Sequence, residues 1–310
     1  MKKKFIFQII FSLAFIGLLG KIFLSEGKYL ETLNVVISVK GFNLLLLLII
    51  INLTVSFLFF HILKKFSQKK ISFIRITATF LQGGIVNQLI PGSGIFYKYF
   101  KFKSDDNINI SEYSMSQLIF YIERILAYLL LSILLGFLTI VYFNTSMILT
   151  LILFFVSLSF VLFLNRKYIY SFIKEIFFKN KNLAKIAVEL SKIKNAIKNS
   201  LSYFVLIFLL FLSQALLECV IFSQVFQIYS YDIGFEISSL LWMTTSLVTI
   251  LSFMNFFGFF EVVFAYSSTF FDEEFTDIII MVFAYRIMNL LAQFLLIISS
   301  YIYRIVKKIN

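Results

Sequence analysis

Apolar runs about as long as a bilayer is thick, separated by short clusters of lysine and arginine, confine this chain to one solvent and one kind of secondary structure. Hydrocarbon offers no water to a peptide group, so each crossing must satisfy its own backbone as a helix or join a closed barrel. Runs of roughly 20 apolar residues select the helix. With 60% of residues hydrophobic and 14% charged, the chain reads as an all-α polytopic membrane protein. Spanning helices are expected at about 5–24, 42–63, 115–143, 147–164, 201–229 and 277–303.

Charge placement orients these spans. A net charge of +12 would suit nucleic acid only if it formed a surface patch, whereas here the basic residues lie in short runs between apolar spans. Lys2, Lys3 and Lys4 hold the N-terminus in the cytoplasm, and the mixed-charge loop at 25–41 falls outside. Lys64, Lys65, Lys69, Lys70 and Arg75 return the chain inside, as do Arg304, Lys307 and Lys308 at the C-terminus. Segment 165–200 is also strongly basic, with Leu183, Ile186, Ala187, Leu190 and Ile193 at helical spacing. It is expected to lie along the cytoplasmic leaflet. The first span follows three lysines but lacks a small-residue cleavage site, so it is expected to be retained.

Two apolar regions remain, and parity decides what they do. Pro91 is the chain's only proline, and it sits in Gln82-Gly83-Gly84-Ile85-Val86-Asn87-Gln88-Leu89-Ile90-Pro91-Gly92-Ser93-Gly94, with four of the eleven glycines. Proline removes a backbone donor and stops a helix, and glycine loosens what flanks it. If segment 76–96 crossed the membrane, the basic 165–200 segment would fall outside. It is therefore expected to dip in from the cytoplasm and return at Pro91. Segment 237–271 lies between acidic stretches, Asp232 with Glu236 and Asp272 through Asp277, and is expected to dip in from the other face, turning near Gly258.

The two dips suggest an inverted repeat. Gly94 precedes Glu123-Arg124 in the next helix, and Gly258 precedes Arg286, so the Gly-to-Arg spacings are 30 and 28 residues. Discontinuous segments at matching positions of opposed halves mark transporter sites. The chain is thus read as one integral membrane domain, 1–310, with halves at about 1–143 and 147–303.

Ionisable groups within spans cost on the order of 2.5–3.5 kcal/mol each, which makes them functional candidates. Here they are Glu123, Arg124, Glu218, Glu261 and Arg286. Arg124 shares a helix face with Gln117, Tyr121 and Tyr128; Arg286 shares one with Asn289 and Gln293; Gln214 and Glu218 face the same way. Structural ion pairs between helices are the plain alternative for the charged groups. At the break, Gln82, Asn87, Gln88 and Ser93 add hydrogen-bonding groups that hydrocarbon would reject, and Lys98, Lys101 and Lys103 follow. Lone His61 and lone Cys219 leave little material for a metal cluster, a disulfide or a histidine-based triad.

The run Asn87-Gln88-Leu89-Ile90-Pro91-Gly92-Ser93-Gly94, followed by Glu123-Arg124, resembles the membrane region of lysylphosphatidylglycerol synthases, a flippase-like family. A later Pro-Gly-Gly-x-Gly-x-x-Glu element of that family is matched as Gly258-Phe259-Phe260-Glu261, with Met254, Asn255 and Phe256 in place of its proline and first two glycines. Synthases of this kind add a cytoplasmic aminoacyltransferase domain after the membrane region, and this sequence ends at Asn310. The resemblance therefore implies translocation of an anionic phospholipid or lipid-linked sugar across the cytoplasmic membrane, without the synthase chemistry. The expected site is Gln88, Pro91, Gly92, Gly94, Lys98, Glu123, Arg124, Gly258, Glu261 and Arg286. Arg124 and Arg286 would attract phosphate, and Glu123 and Glu261 would pair with them or couple to protons. No cofactor or metal is expected, and the partners would be membrane lipids and envelope-biosynthesis proteins. The alternative is a membrane-embedded glycosyl- or aminoacyl-transferase, or its accessory subunit.

Overall fold

A computed structural model describes residues 38–67, 69, 71–89, 93–139, 201–229, 234–251 and 275–309. The expected spans at 5–24 and 147–164, the amphipathic segment 165–200, and Pro91, Gly92, Gly258 and Glu261 lie outside the described residues.

Seven α-helices make up the regular structure among the described residues: α1 (Val39–Ser67), α2 (Phe73–Leu89), α3 (Ser93–Asp106), α4 (Ile110–Thr139), α5 (Leu201–Ile228), α6 (Phe235–Leu251) and α7 (Phe275–Ile309). Of these, α1, α4, α5 and α7 are long and apolar enough to cross a membrane. At about 1.5 Å per residue, α2 and α6 reach only about 25 Å and α3 about 21 Å, short of a hydrocarbon core of roughly 30 Å.

Side-chain polarity runs opposite to that of a water-soluble bundle. On α4, Leu118, Ile122, Leu126, Leu130 and Leu134 form an exposed stripe at every fourth residue. The buried face of the same helix carries Ser116, Gln117, Tyr128 and Ser132. Asn52 and Ser56 on α1, Gln214 and Glu218 on α5, and Arg286 and Gln293 on α7 are likewise buried. Apolar residues outward and polar residues inward minimise free energy in lipid. This is the architecture of a helical membrane protein.

Chain direction is fixed by contacts at one end. Arg75, at the start of α2, bonds Asp106, the last residue of α3 (2.8 Å), and the Asp105 carbonyl (3.1 Å). Lys69, just after α1, meets Glu112 in the first turn of α4 (3.5 Å). Lys65 lies 5.3 Å from the ring centroid of Tyr203 near the start of α5. Tyr301, late in α7, accepts a hydrogen bond from Gln82 (2.9 Å). So α1, α3 and α7 finish, and α2, α4 and α5 begin, at one basic end.

The pair α2–α3 is a hairpin that leaves and returns to that end. Gly83 faces Gly94, the Ser93 hydroxyl donates to the Val86 carbonyl (3.2 Å), and Tyr97 donates to Gln82 (2.9 Å). The returning limb runs on to Asp106, ten residues beyond the apolar dip read from the sequence. Lys98, Lys101 and Lys103 interrupt its hydropathy, but Phe102 is buried, with its ring 6.0 Å from that of Phe59. Similarly, α4 starts at Ile110, ahead of the apolar run. Asn109 and Glu112 cap it reciprocally, each side chain accepting from the other's amide (3.0 and 2.9 Å). Asn107 turns the chain between α3 and α4 with φ 53°, a region asparagine enters more readily than most residues.

Two buried clusters fill the bundle. One joins α1, α4, α5, α6 and α7 around Phe222, Trp242 and Tyr285. The other lies toward the basic end around Phe59, Phe120 and Phe211. Val55 and Leu212 pack on both.

Candidate functional site

A cavity of about 220 Å³ opens at the junction of the two clusters. All seven helices contribute to its lining. Its charged groups are Lys98, Arg124, Arg286 and Glu218, and its neutral polar groups include Asn52, Asn87, Gln88, Asn289 and Gln293. At about 30 Å³ per water in the liquid, the volume corresponds to about seven waters. A small polar head fits, but a whole lipid does not.

The glycines of α2 and α3 bring Lys98 into this space. Gly83 and Gly94 let the two backbones cross in contact, and the Lys98 stem lies over Gly83, with Cγ 2.3 Å from where a Cβ would sit. Lys98 is 7% exposed. Its ammonium rests 4.6 Å from the ring centroid of Phe80 and 5.9 Å from that of Phe59. Among the described residues it meets no carboxylate and no hydrogen-bond acceptor. Ring faces attract a cation but replace only part of its hydration. Its neighbours differ: Lys101 pairs with Asp105 (3.3 Å), and Lys103 is exposed.

On the opposite wall, α4, α5 and α6 hold the cavity's carboxylate. Glu218 Oε1 accepts from Arg124 Nη2 (3.2 Å) and Gln214 Nε2 (2.6 Å). Its Oε2 accepts from Trp242 Nε1 (3.1 Å) and from the Tyr128 hydroxyl. The same hydroxyl accepts from Arg124 Nε (3.0 Å) and Nη2 (2.6 Å). Four donors on two oxygens leave this carboxylate well satisfied in a buried setting.

The third wall, from α1 and α7, carries amides beside Arg286. Asn52 on α1 donates to Asn289 on α7 (2.7 Å) and accepts from Gln293 (3.2 Å). The Oε1 atoms of Gln88 and Gln293 are buried with no hydrogen-bond partner among the described residues. Gly84 stands beside Gln293, whose Oε1 is 3.8 Å from where a Cβ would sit.

Of the residues expected from the sequence, the cavity brings together Gln88, Gly94, Lys98, Arg124 and Arg286. Glu123 is not among them: one residue before Arg124 on α4, it is half-buried and does not line the cavity. The residue that meets Arg124 is Glu218, 94 positions away. Glu218 and Gln214 share a helix face in the sequence but lie outside the motifs that mark the expected site. The intramembrane charge itself was the available signal. Asn52, which bridges α1 and α7, is one of two asparagines in an apolar run, and nothing in its spacing marks it.

No family model matches this chain, and no curated protein or solved structure matches it either.

Proposed function

We propose that this protein moves an anionic lipid, either a phospholipid or a lipid-linked sugar intermediate, between leaflets of the cytoplasmic membrane, with the cavity receiving its phosphate. One observation carries the reading: among the described residues, the Lys98 ammonium stands in this buried space with only ring faces against it, while the lining carboxylate, Glu218, is already engaged by four donors. A buried ammonium with no carboxylate beside it among the described residues favours an anionic ligand. The small volume supports capture of the headgroup alone, with acyl chains left in the bilayer.

In this reading α2–α3 is a re-entrant hairpin dipping from the cytoplasmic side, supported by its short limbs and by the basic residues at both its ends. Helix α6 is the inward limb of an opposed dip, with Gly258 and Glu261 beyond it. Six spans, an inverted repeat and cytoplasmic termini complete the topology. Inverted repeats with discontinuous segments suit binding near the midplane and alternating access.

Reconstitution tests this. Wild-type protein in vesicles should translocate a labelled anionic phospholipid, and Arg124→Ala or Arg286→Ala should slow it roughly tenfold or more, the scale of one lost charge-assisted contact. If folded variants translocate as fast as wild type, the cavity is not the path.

A further inference from the structure

Lys98 and Arg124 are not equally available to a ligand. Among the described residues, Lys98 has only aromatic faces against its ammonium. Arg124 is already bonded to Glu218. Arg124 holds Glu218 and Tyr128 through Nε and Nη2, so an anion that takes those donors competes with Glu218 for the guanidinium. The donor arrangement suits such an exchange. If Arg124 turned away, Glu218 would keep Tyr128, Gln214 and Trp242 as neutral donors. A buried carboxylate stripped of every partner is costly, whereas one that keeps three hydrogen bonds is still well satisfied.

We propose that Glu218 is a resident counter-ion: it occupies Arg124 while the cavity is empty and yields it to the anionic group of the cargo, thereby setting affinity and release. This rests on the reading of the cavity as an anion site. Glu218 acts through Arg124 and is a positioning residue. Its three neutral donors tune how firmly it holds the arginine. Removing the charge of Glu218 should strengthen anion binding. Removing a neutral donor should weaken it, because the carboxylate then depends more on Arg124.

Trp242, the only tryptophan in the chain, donates to Glu218 Oε2 at 3.1 Å, so its fluorescence reports directly on this carboxylate. Purified full-length protein in neutral detergent would be titrated with a short-chain phosphatidic acid, with inorganic phosphate, and with short-chain phosphatidylcholine as a zwitterionic control. Wild type should show a saturable change in Trp242 emission with phosphatidic acid. An equal response to inorganic phosphate would assign the contact to the phosphate alone; a weaker one would assign it to the lipid-borne group. Both outcomes support the anion site on which the exchange rests.

Glu218→Gln should bind phosphatidic acid about tenfold more tightly, and Gln214→Leu should bind it several-fold more weakly, on the scale of hydrogen bonds to charged groups. A purely structural ion pair predicts that both variants weaken binding or that neither alters it, and that result would overturn the counter-ion role. If Glu218→Gln does not fold, unchanged or tighter binding by Gln214→Leu still overturns it. If wild type responds to no phosphate-bearing probe, the anion-site reading itself fails, and the counter-ion role with it.

Discussion

A Cβ on Gly94 would lie 2.0 Å from the carbonyl oxygen of Gly83 and 2.6 Å from the Cβ of Asn87. The two limbs of the α2–α3 hairpin therefore meet backbone to backbone, as small residues allow between membrane helices. The consequence reaches the cavity. Lys98 lies one turn beyond Gly94, and its stem covers Gly83, so the glycine contact fixes where the ammonium can stand.

Gly94→Ala should accordingly force the limbs apart. The obstacle is backbone, which cannot swing aside as a flexible side chain can, so we expect destabilisation of about 1–3 kcal/mol or more, the range for overpacking. Gly136→Ala is the matched control: it also replaces a helical glycine, but no described residue lies within 4 Å of its added Cβ. It should be neutral or stabilising by up to about 1 kcal/mol. Equilibrium unfolding in mixed micelles compares the two, and equal effects would remove the case for tight contact.

The amide bridge between α1 and α7 is testable in the same assay. Asn52→Ala removes both the donor to Asn289 and the acceptor for Gln293. Hydrogen bonds between membrane helices contribute about 0.6 kcal/mol on average and at most about 1.7. Loss of both should cost roughly 1–3 kcal/mol, and Asn289→Ala should add little once Asn52 is gone. Full additivity of the two substitutions would show that the residues do not act as one unit.

The hairpin's path predicts a labelling pattern. In a Cys219→Ala background, Ser72→Cys at the start of α2 and Lys103→Cys near the end of α3 should react with a membrane-impermeant maleimide from one side of the membrane. Gly234→Cys, which precedes α6, should react from the other. Cys219 is fully buried and should itself label slowly. Opposite-side labelling of Ser72→Cys and Lys103→Cys would mean that the α2–α3 unit crosses the bilayer and does not return.

The long helices were legible because hydropathy is a local property: runs expected at 42–63, 115–143, 201–229 and 277–303 became α1, α4, α5 and α7. Helices α1 and α7 extend further at both ends, and α4 begins earlier, because hydropathy does not register caps. The Asn109–Glu112 pair that starts α4 is a sequence signature of its own, lying outside the apolar window. The break near Pro91 was legible as chemistry, since Asn87 and Gln88 line the cavity while Gln82 bonds Tyr97 and Tyr301. Pairing was not. Helical spacing says which residues share a face, as Arg124 and Tyr128 do, but not which distant face they meet. Glu123 and Glu218 are equally charged in the sequence. Only the packing of α4 against α5 and α6 chooses Glu218, and it does so through Gln214 and Trp242 as much as through Arg124.

Lys98 separates charge from packing, so it gives the sharpest test of the cavity. Its stem fills space over Gly83, and its ammonium lies against Phe80 and Phe59. Lys98→Met keeps an unbranched chain of similar length in contact with the rings, because thioethers also pack well on aromatic faces. It removes one positive charge from a buried site that holds no acceptor for it among the described residues, which relieves a desolvation cost. Stability should therefore be unchanged or higher. If the charge serves an anionic cargo, translocation of an anionic phospholipid should fall about tenfold or more, the scale of one charge-assisted contact in a buried site. Translocation of a zwitterionic lipid should change little, so the ratio of the two rates is the quantity to measure. A variant that is more stable and keeps the wild-type ratio would identify Lys98 as a packing residue whose charge the cavity merely tolerates.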